Sequence, residues 1–317
     1  MPKFANPRPS RLLIVGCGYL GLRLGRQALD HNWSVSGTTR NRQELLQKRG
    51  IEPVTFDWND SRALNLLGET IRSNSINKIV IAVSHDRNSP HGRFASQVDG
   101  LSRLLVKLRQ ISEMDDSEIP QLVYISTTGV YHQTGGVWVD ETSPTHPARE
   151  GGRAHLHAEA KLRTHLPPSN WTILRLSGIY GPGRVPRAAD VQAGRPIASP
   201  PSGHLNLIHV DDAAAACLAA LDFPTKFPSR IRSPLYVVSD DSPVIRREFY
   251  QEIACQTRSP EPTFINPAVD SGVRFRSETD KRIWNRRLKR DLIPQLSFPS
   301  YREGLRNVLD PTYNRPT

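Results

Sequence analysis

The stretch Arg11-Leu-Leu-Ile-Val-Gly-Cys-Gly-Tyr-Leu-Gly21 decides the fold of this chain. Its apolar run, Leu12 to Val15, predicts a buried parallel strand that leads directly into three glycines spaced Gly16-x-Gly18-x-x-Gly21. Gly16 suits the tight turn out of the strand, Gly18 lets a pyrophosphate approach the backbone, and Gly21 lets the following helix pack close to the sheet. Because the amides at a helix N-terminus attract anions, the stretch predicts dinucleotide binding rather than an ordinary strand-to-helix turn.

The exit of the second predicted strand indicates which dinucleotide is bound. Residues 33–40 read Trp-Ser-Val-Ser-Gly-Thr-Thr-Arg. Sites that select NAD usually place an acidic residue about 20 residues beyond the glycine turn, where it binds the ribose 2′-hydroxyl. Thr38 and Thr39 carry no charge there, and Arg40 suits a 2′-phosphate through a forked, charge-assisted contact. We therefore expect NADP, with NAD as the alternative and a solvated surface role as the other interpretation of Arg40.

Length and composition limit the class of protein. The 317 residues suffice for one large or two modest domains. Residues 1–10 are polar and proline-rich, and no apolar run approaches the length of a membrane span, so we expect neither a signal peptide nor a membrane anchor. Cys17, Cys217 and Cys255 form no metal-binding pattern and no complete set of disulfides, which predicts a reducing, cytoplasmic location.

The net charge of +11 raises the question of a nucleic-acid partner. The densest basic cluster, residues 281–290, has apolar Ile283, Trp284 and Leu288 among its charges, a spacing that predicts an amphipathic helix with a solvated basic face. A phosphate-rich cofactor or an anionic substrate accounts for a basic balance equally well. We therefore expect a small-molecule substrate rather than a nucleic-acid partner.

Strand and helix patterns alternate through the first two thirds of the chain, which predicts an α/β fold: a doubly wound parallel sheet, or Rossmann fold, with helices on both faces. Further strands are expected at 51–57, 78–84, 121–126, 171–176 and 235–239, and helices at 43–48, 95–111, 154–165 and 212–221. We expect a dinucleotide-binding domain over 1–180, with 206–239 returning to its sheet. The rest of 181–317 is expected to form a small C-terminal lobe on the substrate side.

Several stretches together resemble the extended short-chain dehydrogenases/reductases, a family that includes nucleotide-sugar epimerases and dehydratases. The resemblance spans nearly the whole chain, in the right order. The matching stretches are Gly16 to Gly21, Ser126 to Tyr131, Leu174 to Gly183, Leu207 to Asp212 and Tyr236 to Asp240. The segment from Gly37 to Arg40 is also similar to the NADPH-using reductases of that group.

The resemblance implies roles for individual residues. Asp57 would face the adenine amine, Val83 and Ser84 would line the adenosine side, and Ser126 would lie near the nicotinamide. Thr127 matches the hydroxyl that hydrogen-bonds the substrate oxygen. The expected cofactor contacts are Gly16, Gly18, Tyr19, Leu20, Gly21, Thr39, Arg40, Asp57, Val83, Ser84 and Ser126.

The sequence departs from the family at its acid/base. That group is a tyrosine with a lysine four residues on, which lowers the pKa of the phenol. Between Tyr131 and Tyr180 the chain has no tyrosine, and Lys161 is the only lysine. The place for the pair, residues 149–159, reads Arg-Glu-Gly-Gly-Arg-Ala-His-Leu-His-Ala-Glu. The chain therefore resembles an atypical bacterial branch described only as NAD-dependent epimerase or dehydratase.

Three groups are candidates to replace the pair. Tyr131 could point into the cleft as an acid/base, or it could pack the loop. His155 and His157 lie where the lysine is missing, although we expect both on the surface. Asp140 and Glu141 could act as a base or could cap the next turn.

These alternatives leave three functions open. The first is an enzyme with a substituted acid/base, and the second is a non-catalytic NADP(H)-binding sensor or scaffold. The third, which the scattered charges do not favour, is a basic protein whose main partner is nucleic acid. The segment between Gly183 and Leu205 is short, which argues against a bulky UDP-sugar as substrate.

Overall fold

A computed structural model of the protein describes residues 9–86, 88–226, 235–265 and 279–309. Its strands are β1 (Arg11–Val15), β2 (Ser34–Thr39), β3 (Glu52–Thr55), β4 (Lys78–Ile81), β5 (Gln121–Thr127), β6 (Val137–Val139), β7 (Trp171–Leu176), β8 (Gly178–Tyr180), β9 (Ile197–Ala198), β10 (His204–Leu205), β11 (Leu207–His209), β12 (Leu235–Val238), β13 (Val244–Ile245), β14 (Phe264–Ile265) and β15 (Lys281–Ile283). Its α-helices are α1 (Tyr19–Asp30), α2 (Gln43–Lys48), α3 (Ser61–Ser73), α4 (Gly100–Asp115), α5 (Glu150–His165), α6 (Ala188–Gln192), α7 (Val210–Lys226), α8 (Arg246–Thr257), α9 (Arg286–Asp291) and α10 (Tyr301–Leu309). A π-helical segment, Ala95–Asp99, precedes α4.

The main sheet has seven strands in the order β12-β7-β5-β4-β1-β2-β3. The pairs β1–β2, β2–β3, β1–β4 and β4–β5 are parallel. The chain builds outward from β1 in one direction to β3 and then returns to place β4 on the other side of β1. The predicted doubly wound parallel sheet is confirmed, and its switch point lies at the carboxyl end of β1, where ligands bind in such sheets.

Contacts divide the described residues into two compact units, each drawn from three segments of the chain. The first unit takes its residues from Met1–Ser126, Ala154–Leu174 and Cys217–Pro234, and the second from Thr127–Arg153, Arg175–Ala216 and Leu235–Thr317. The sequence predicts a domain over 1–180 to which 206–239 returns, and a lobe from the rest of 181–317, and this division stays a prediction. Within the predicted returning segment, β12 joins the main sheet, whereas β11 pairs with β8.

The core of the first unit forms because apolar side chains occupy both faces of the central strands. Leu12 to Val15 are fully buried, as are Ile79 to Ile81 of β4. Helix α1 buries Leu24 and Ala28, one turn apart, on the face that the sequence predicts. Strand β2 is largely polar but buried after its first residue, because its hydroxyls find partners, as in the 3.0 Å bond from Ser36 to Glu52.

The second unit has its own apolar core, in which helices α8 and α10 pack around the short strands β8 and β11. Its largest fully buried side chains are Tyr180, Tyr301 and Phe249. The core members are Tyr180, Val191, Ile197, Leu207, Val244, Phe249, Tyr250, Ile253, Ala254, Tyr301 and Leu305.

The prediction of an amphipathic helix over residues 281–290 was wrong for the first turn. Lys281–Ile283 is strand β15, which pairs in parallel with β6, and only Arg286–Asp291 is helical. Lys281 and Ile283 are buried while Arg282 between them is not, an alternation of period two that the charged composition hides.

Candidate functional site

A cleft of about 400 Å³ lies within the first unit, at the carboxyl ends of β1, β2, β3 and β4. Most of its lining comes from the last residues of these strands and from the loops that follow them. The lining residues are Gly16, Cys17, Gly18, residues 38–42, residues 56–59, residues 82–86, Ser89 and Ser96. The cleft therefore occupies the switch point at which the fold class places its ligands.

The glycine turn forms one wall of the cleft, and close contacts determine its shape. Gly16 has a φ of +88°, and a Cβ there would lie 2.9 Å from the backbone N and Cα of Val83. The Gly16 N–H donates to the Thr38 hydroxyl at 2.8 Å. A Cβ on Gly21 would lie 3.1 Å from the Ile14 side chain, so this glycine lets α1 approach the sheet. Gly16 thus allows the tight turn and Gly21 the close packing of the helix, as the motif predicts.

Gly18 differs from both because the space beside it is open. A Cβ at Gly18 would find its nearest atom, the Gly16 carbonyl oxygen, at 3.9 Å. Gly18 is also the N-cap of α1, and it supplies no side chain to cap the first turn. An open backbone at the positive end of a helix is the environment that a pyrophosphate needs.

The exit of β2 carries two arginines into the cleft lining. The Arg42 N–H donates to the Thr39 hydroxyl at 3.0 Å, so buried Thr39 shapes this turn. The Arg42 guanidinium lies 3.4 Å from the Cys17 carbonyl oxygen, beside the glycine turn. Arg42 was not among the predicted contacts, although its position two residues after Arg40 was a usable signal.

Arg40 makes an ion pair across the cleft lining. Its Nη2 atom donates to Asp86 Oδ2 at 2.8 Å, and the side chains are 57% and 36% exposed. The guanidinium holds the pKa of the Asp86 carboxyl below its usual range. No sequence signal pointed to Asp86, because it follows β4, which is separated from β2 in the sheet by β1.

The other predicted cofactor contacts fall into two groups. Asp57, Val83 and Ser84 line the cleft with Gly16, Gly18, Thr39 and Arg40. The Asp57 carboxylate also accepts the Asn59 N–H at 2.9 Å, which holds its loop. The residues outside this lining are Tyr19, Leu20, Gly21 and Ser126.

Helix α5 and strand β5 form a partly buried polar ladder in the first unit. The Ser126 hydroxyl donates to Glu159 Oε1 at 2.7 Å, and the Tyr124 hydroxyl lies 2.9 Å from His155 Nδ1. Both pairs form because Tyr124 and Ser126, two residues apart, share a face of the strand. The other members of the two pairs are four residues apart and share a face of the helix. The expected surface exposure was wrong for His155, whose pKa burial lowers to about 4, but His157 is exposed.

Thr127 and Tyr131, the predicted catalytic residues, belong to the second unit. The half-buried Thr127 hydroxyl accepts the Gly129 N–H at 3.0 Å. The Tyr131 ring is fully buried, and its hydroxyl accepts a hydrogen bond from Arg175 at 2.7 Å. Buried Lys281 donates to the Tyr131 carbonyl at 3.1 Å, and burial lowers the pKa of this lysine to about 8. This environment favours the packing role for Tyr131.

The carboxylate pair after β6 has two separate tasks in the second unit. Asp140 accepts hydrogen bonds from the backbone and hydroxyl of Thr142, at 2.8 and 2.7 Å, and so caps the turn. Glu141 accepts the Val237 N–H at 2.9 Å. These contacts favour the capping alternative over a shared role as base.

Carboxylates neutralise much of the basic cluster around α9. Lys289 lies 2.7 Å from Asp241, and Arg290 lies 2.6 Å from Asp291. Arg287 lies 3.7 Å from Glu141.

Two further features bear on the class of protein. Within 9–86, 88–226, 235–265 and 279–309, no group of three or more His, Cys, Asp or Glu residues could hold a metal ion. Over the same ranges, no helix has the length and apolar character needed to cross a membrane.

Comparison with known proteins agrees with this geometry. Protein YeeZ of Escherichia coli K12 is 28% identical over 274 residues, which cover 83% of this chain and 89% of that protein. A protein of Methylobacillus flagellatus that bears the name of an NAD-dependent epimerase/dehydratase superposes with a TM-score of 0.73 at 26% identity, over 95% of this chain and 97% of its own. The UDP-glucose 4-epimerase of Thermus thermophilus, in complex with NAD, shares the fold at 20% identity, with a TM-score of 0.74 over 95% and 98% of the two chains.

A family description also matches the sequence directly. It is that of the NAD dependent epimerase/dehydratase family, and it covers residues 12–232, which include the glycine turn and all the strands around the cleft. The chain therefore belongs to the NAD dependent epimerase/dehydratase family.

Proposed function

We propose that this protein binds NADP(H) in the cleft of the first unit and uses it in an oxidoreductase or epimerase-like reaction on a small substrate. The observation that carries the proposal is Arg40, which lines the cleft at the exit of β2, where Thr38 and Thr39 stand in place of an acidic residue. A 2′-phosphate needs a cation at this place, whereas the 2′-hydroxyl of NAD needs a carboxylate.

The residues of the cleft fit the two charged parts of the cofactor. The pyrophosphate would lie against Gly18, where the backbone is open and α1 begins. Arg40 and Arg42 would hold the 2′-phosphate side, and guanidinium groups suit phosphate oxygens because their donors are planar and forked. Asp57 would accept from the adenine amine.

When bound, the nicotinamide ring of NADP(H) donates or accepts a hydride. The chain's part is to orient the substrate and to move a proton. The Thr127 hydroxyl would donate to the substrate oxygen, while its own oxygen holds the Gly129 N–H. Behind the adjacent Ser126, the fully buried Glu159 accepts a hydrogen bond of 2.7 Å, so it orients that hydroxyl. Tyr131 would support this turn by packing rather than react, because its ring is buried.

A second candidate is a non-catalytic NADP(H)-binding sensor or scaffold. It is favoured by the residues at 149–159, which supply neither tyrosine nor lysine, and by His155, which is held by Tyr124 and neutral at physiological pH. This protein would bind the cofactor and turn nothing over.

A nucleic-acid partner is not part of the proposal. The carboxylates paired with Arg287, Lys289 and Arg290 reduce the positive charge that a polyanion would meet at α9.

Titration of the purified protein with NADPH and NADH tests the proposal, with cofactor fluorescence or heat as the readout. We expect NADPH to bind more tightly. Equal affinity, or tighter binding of NADH, would refute the assignment of Arg40. A panel of small carbonyl compounds then separates the two candidates, since only an enzyme oxidises bound NADPH at a rate that depends on the compound.

A further inference from the structure

Asp86 is paired with Arg40, the residue that the proposed function assigns to the 2′-phosphate of the cofactor. Both side chains line the cleft, and Arg40 Nη2 lies 2.8 Å from Asp86 Oδ2. The other carboxylate oxygen, Oδ1, accepts the Asn88 N–H at 2.9 Å. One carboxylate oxygen is thus held by the loop while the other faces the guanidinium, so Asp86 stays beside Arg40.

The charge of Asp86 conflicts with the ligand expected next to it. The carboxyl is ionised at neutral pH, because the Arg40 guanidinium holds its pKa below the usual range. A phosphate monoester carries about −1.5 to −2 charges at this pH, so a 2′-phosphate on Arg40 would lie near a like charge. The 2′-hydroxyl of NAD(H) is neutral and meets no such repulsion.

We propose that Asp86 determines cofactor specificity by competing with the 2′-phosphate for Arg40, which narrows the preference for NADP(H) over NAD(H). The inference rests on the proposed function. Arg40 has five N–H donors, and its one short contact to Asp86 leaves donors for a phosphate. The phosphate therefore binds, but it shares or displaces the carboxylate, and part of the attraction of Arg40 is lost. Without the ionised Asp86, the full charge of Arg40 would act on the 2′-phosphate.

The test is Asp86→Asn, which keeps an oxygen for the Asn88 N–H and removes the charge. Calorimetric titration should show NADPH binding tightened by about three- to tenfold, as expected for a charge interaction at a partly exposed site. NADH affinity should change by less than about twofold, because NADH has no 2′-phosphate. The matched control is Asp115→Asn, which removes a carboxylate paired with Arg72 at 2.7 and 2.8 Å, outside the cleft lining. It should leave both affinities unchanged.

The same substitution in an Arg40→Ala background shows whether Asp86 acts through Arg40. Most of the gain in NADPH affinity should then disappear. Unchanged or weaker NADPH binding by Asp86→Asn would overturn the inference, and so would a full gain that persists without Arg40. A wild-type protein that binds NADPH no more tightly than NADH would instead overturn the proposed function, and the inference with it. Because the wild-type titration is read first, the two failures are distinguishable.

Discussion

Replacing Gly18 by valine should strongly weaken cofactor binding and leave the fold intact. The prediction follows from the open space at this residue, where a Cβ would have no neighbour closer than the Gly16 carbonyl oxygen at 3.9 Å. The new side chain would fill the volume that a pyrophosphate needs, at the start of α1. Loss of one or two charge-assisted contacts to the pyrophosphate corresponds to about 3 kcal/mol, or roughly a hundredfold in the dissociation constant.

The matched contrast is Gly16→Ala, two residues earlier in the same turn. Its Cβ would lie 2.9 Å from the Val83 backbone, and the φ of +88° is unfavourable for alanine. Steric overlap and backbone strain together should lower the free energy of unfolding by about 2–4 kcal/mol. Gly18→Val should lower it by only about 1 kcal/mol, since glycine is the better N-cap. Each small substitution thus has one main effect, on binding at Gly18 and on stability at Gly16.

Two measurements check the pair of variants. Urea denaturation gives the free energy of unfolding without ligand, and fluorescence titration with NADPH gives the affinity. Unchanged NADPH affinity in a folded Gly18→Val protein would refute the dinucleotide assignment. A Gly16→Ala protein as stable as the wild type would refute the account of the turn.

Three other predictions follow from the described contacts. Arg40→Ala should weaken NADPH by about 1–2 kcal/mol and leave NADH almost unchanged in the same titration, and equal losses would leave Arg40 with only a structural or general electrostatic role. Because burial lowers the pKa of folded His155 to about 4, below the 6.5 of the free group, unfolding takes up a proton between these values and stability falls as the pH drops through that window. His155→Gln should remove this loss, as urea denaturation at pH 7 and pH 4.5 would show, and an identical pH dependence in both proteins would contradict the assignment. Thr127→Val should abolish any NADPH-dependent reductase activity that substrate screening finds, whereas the wild type should show negligible UDP-glucose epimerisation, and rapid epimerisation would mean that an acid/base has been overlooked.

The central sheet could be predicted from sequence because its apolar strands are bounded by residues typical of turns and loops. The apolar runs at 12–15 and 79–83 end at Gly16 and Ser84, and each is followed further along the chain by a helical pattern. The second unit was harder, since β15 is only three residues long and consists of Lys281, Arg282 and Ile283. Such a strand is stabilised by its pairing with β6, a contact between residues far apart in the chain that no local pattern carries.

The candidate site also contains some residues that the sequence predicts and others that it does not. Gly16, Gly18 and Arg40 could be found because turn geometry and ligand charge demand particular residue types at fixed spacing. Asp86 could not, because its pairing with Arg40 depends on where the loop after β4 runs. The half-buried position of His155 was also hidden, because the inner face of α5 is defined only once Tyr124 and Ser126 of β5 are known to lie against it.

The contact between Gly16 and Val83 has a consequence for protein engineering. With backbone atoms of Val83 only 2.9 Å from the place of a Cβ on Gly16, the phosphate turn and the loop after β4 have no room to vary independently. A designer who wishes to transplant the glycine turn of a relative should therefore exchange 16–21 and 82–86 as one block. Exchanging either segment alone would place a glycine turn against a loop whose backbone does not fit it.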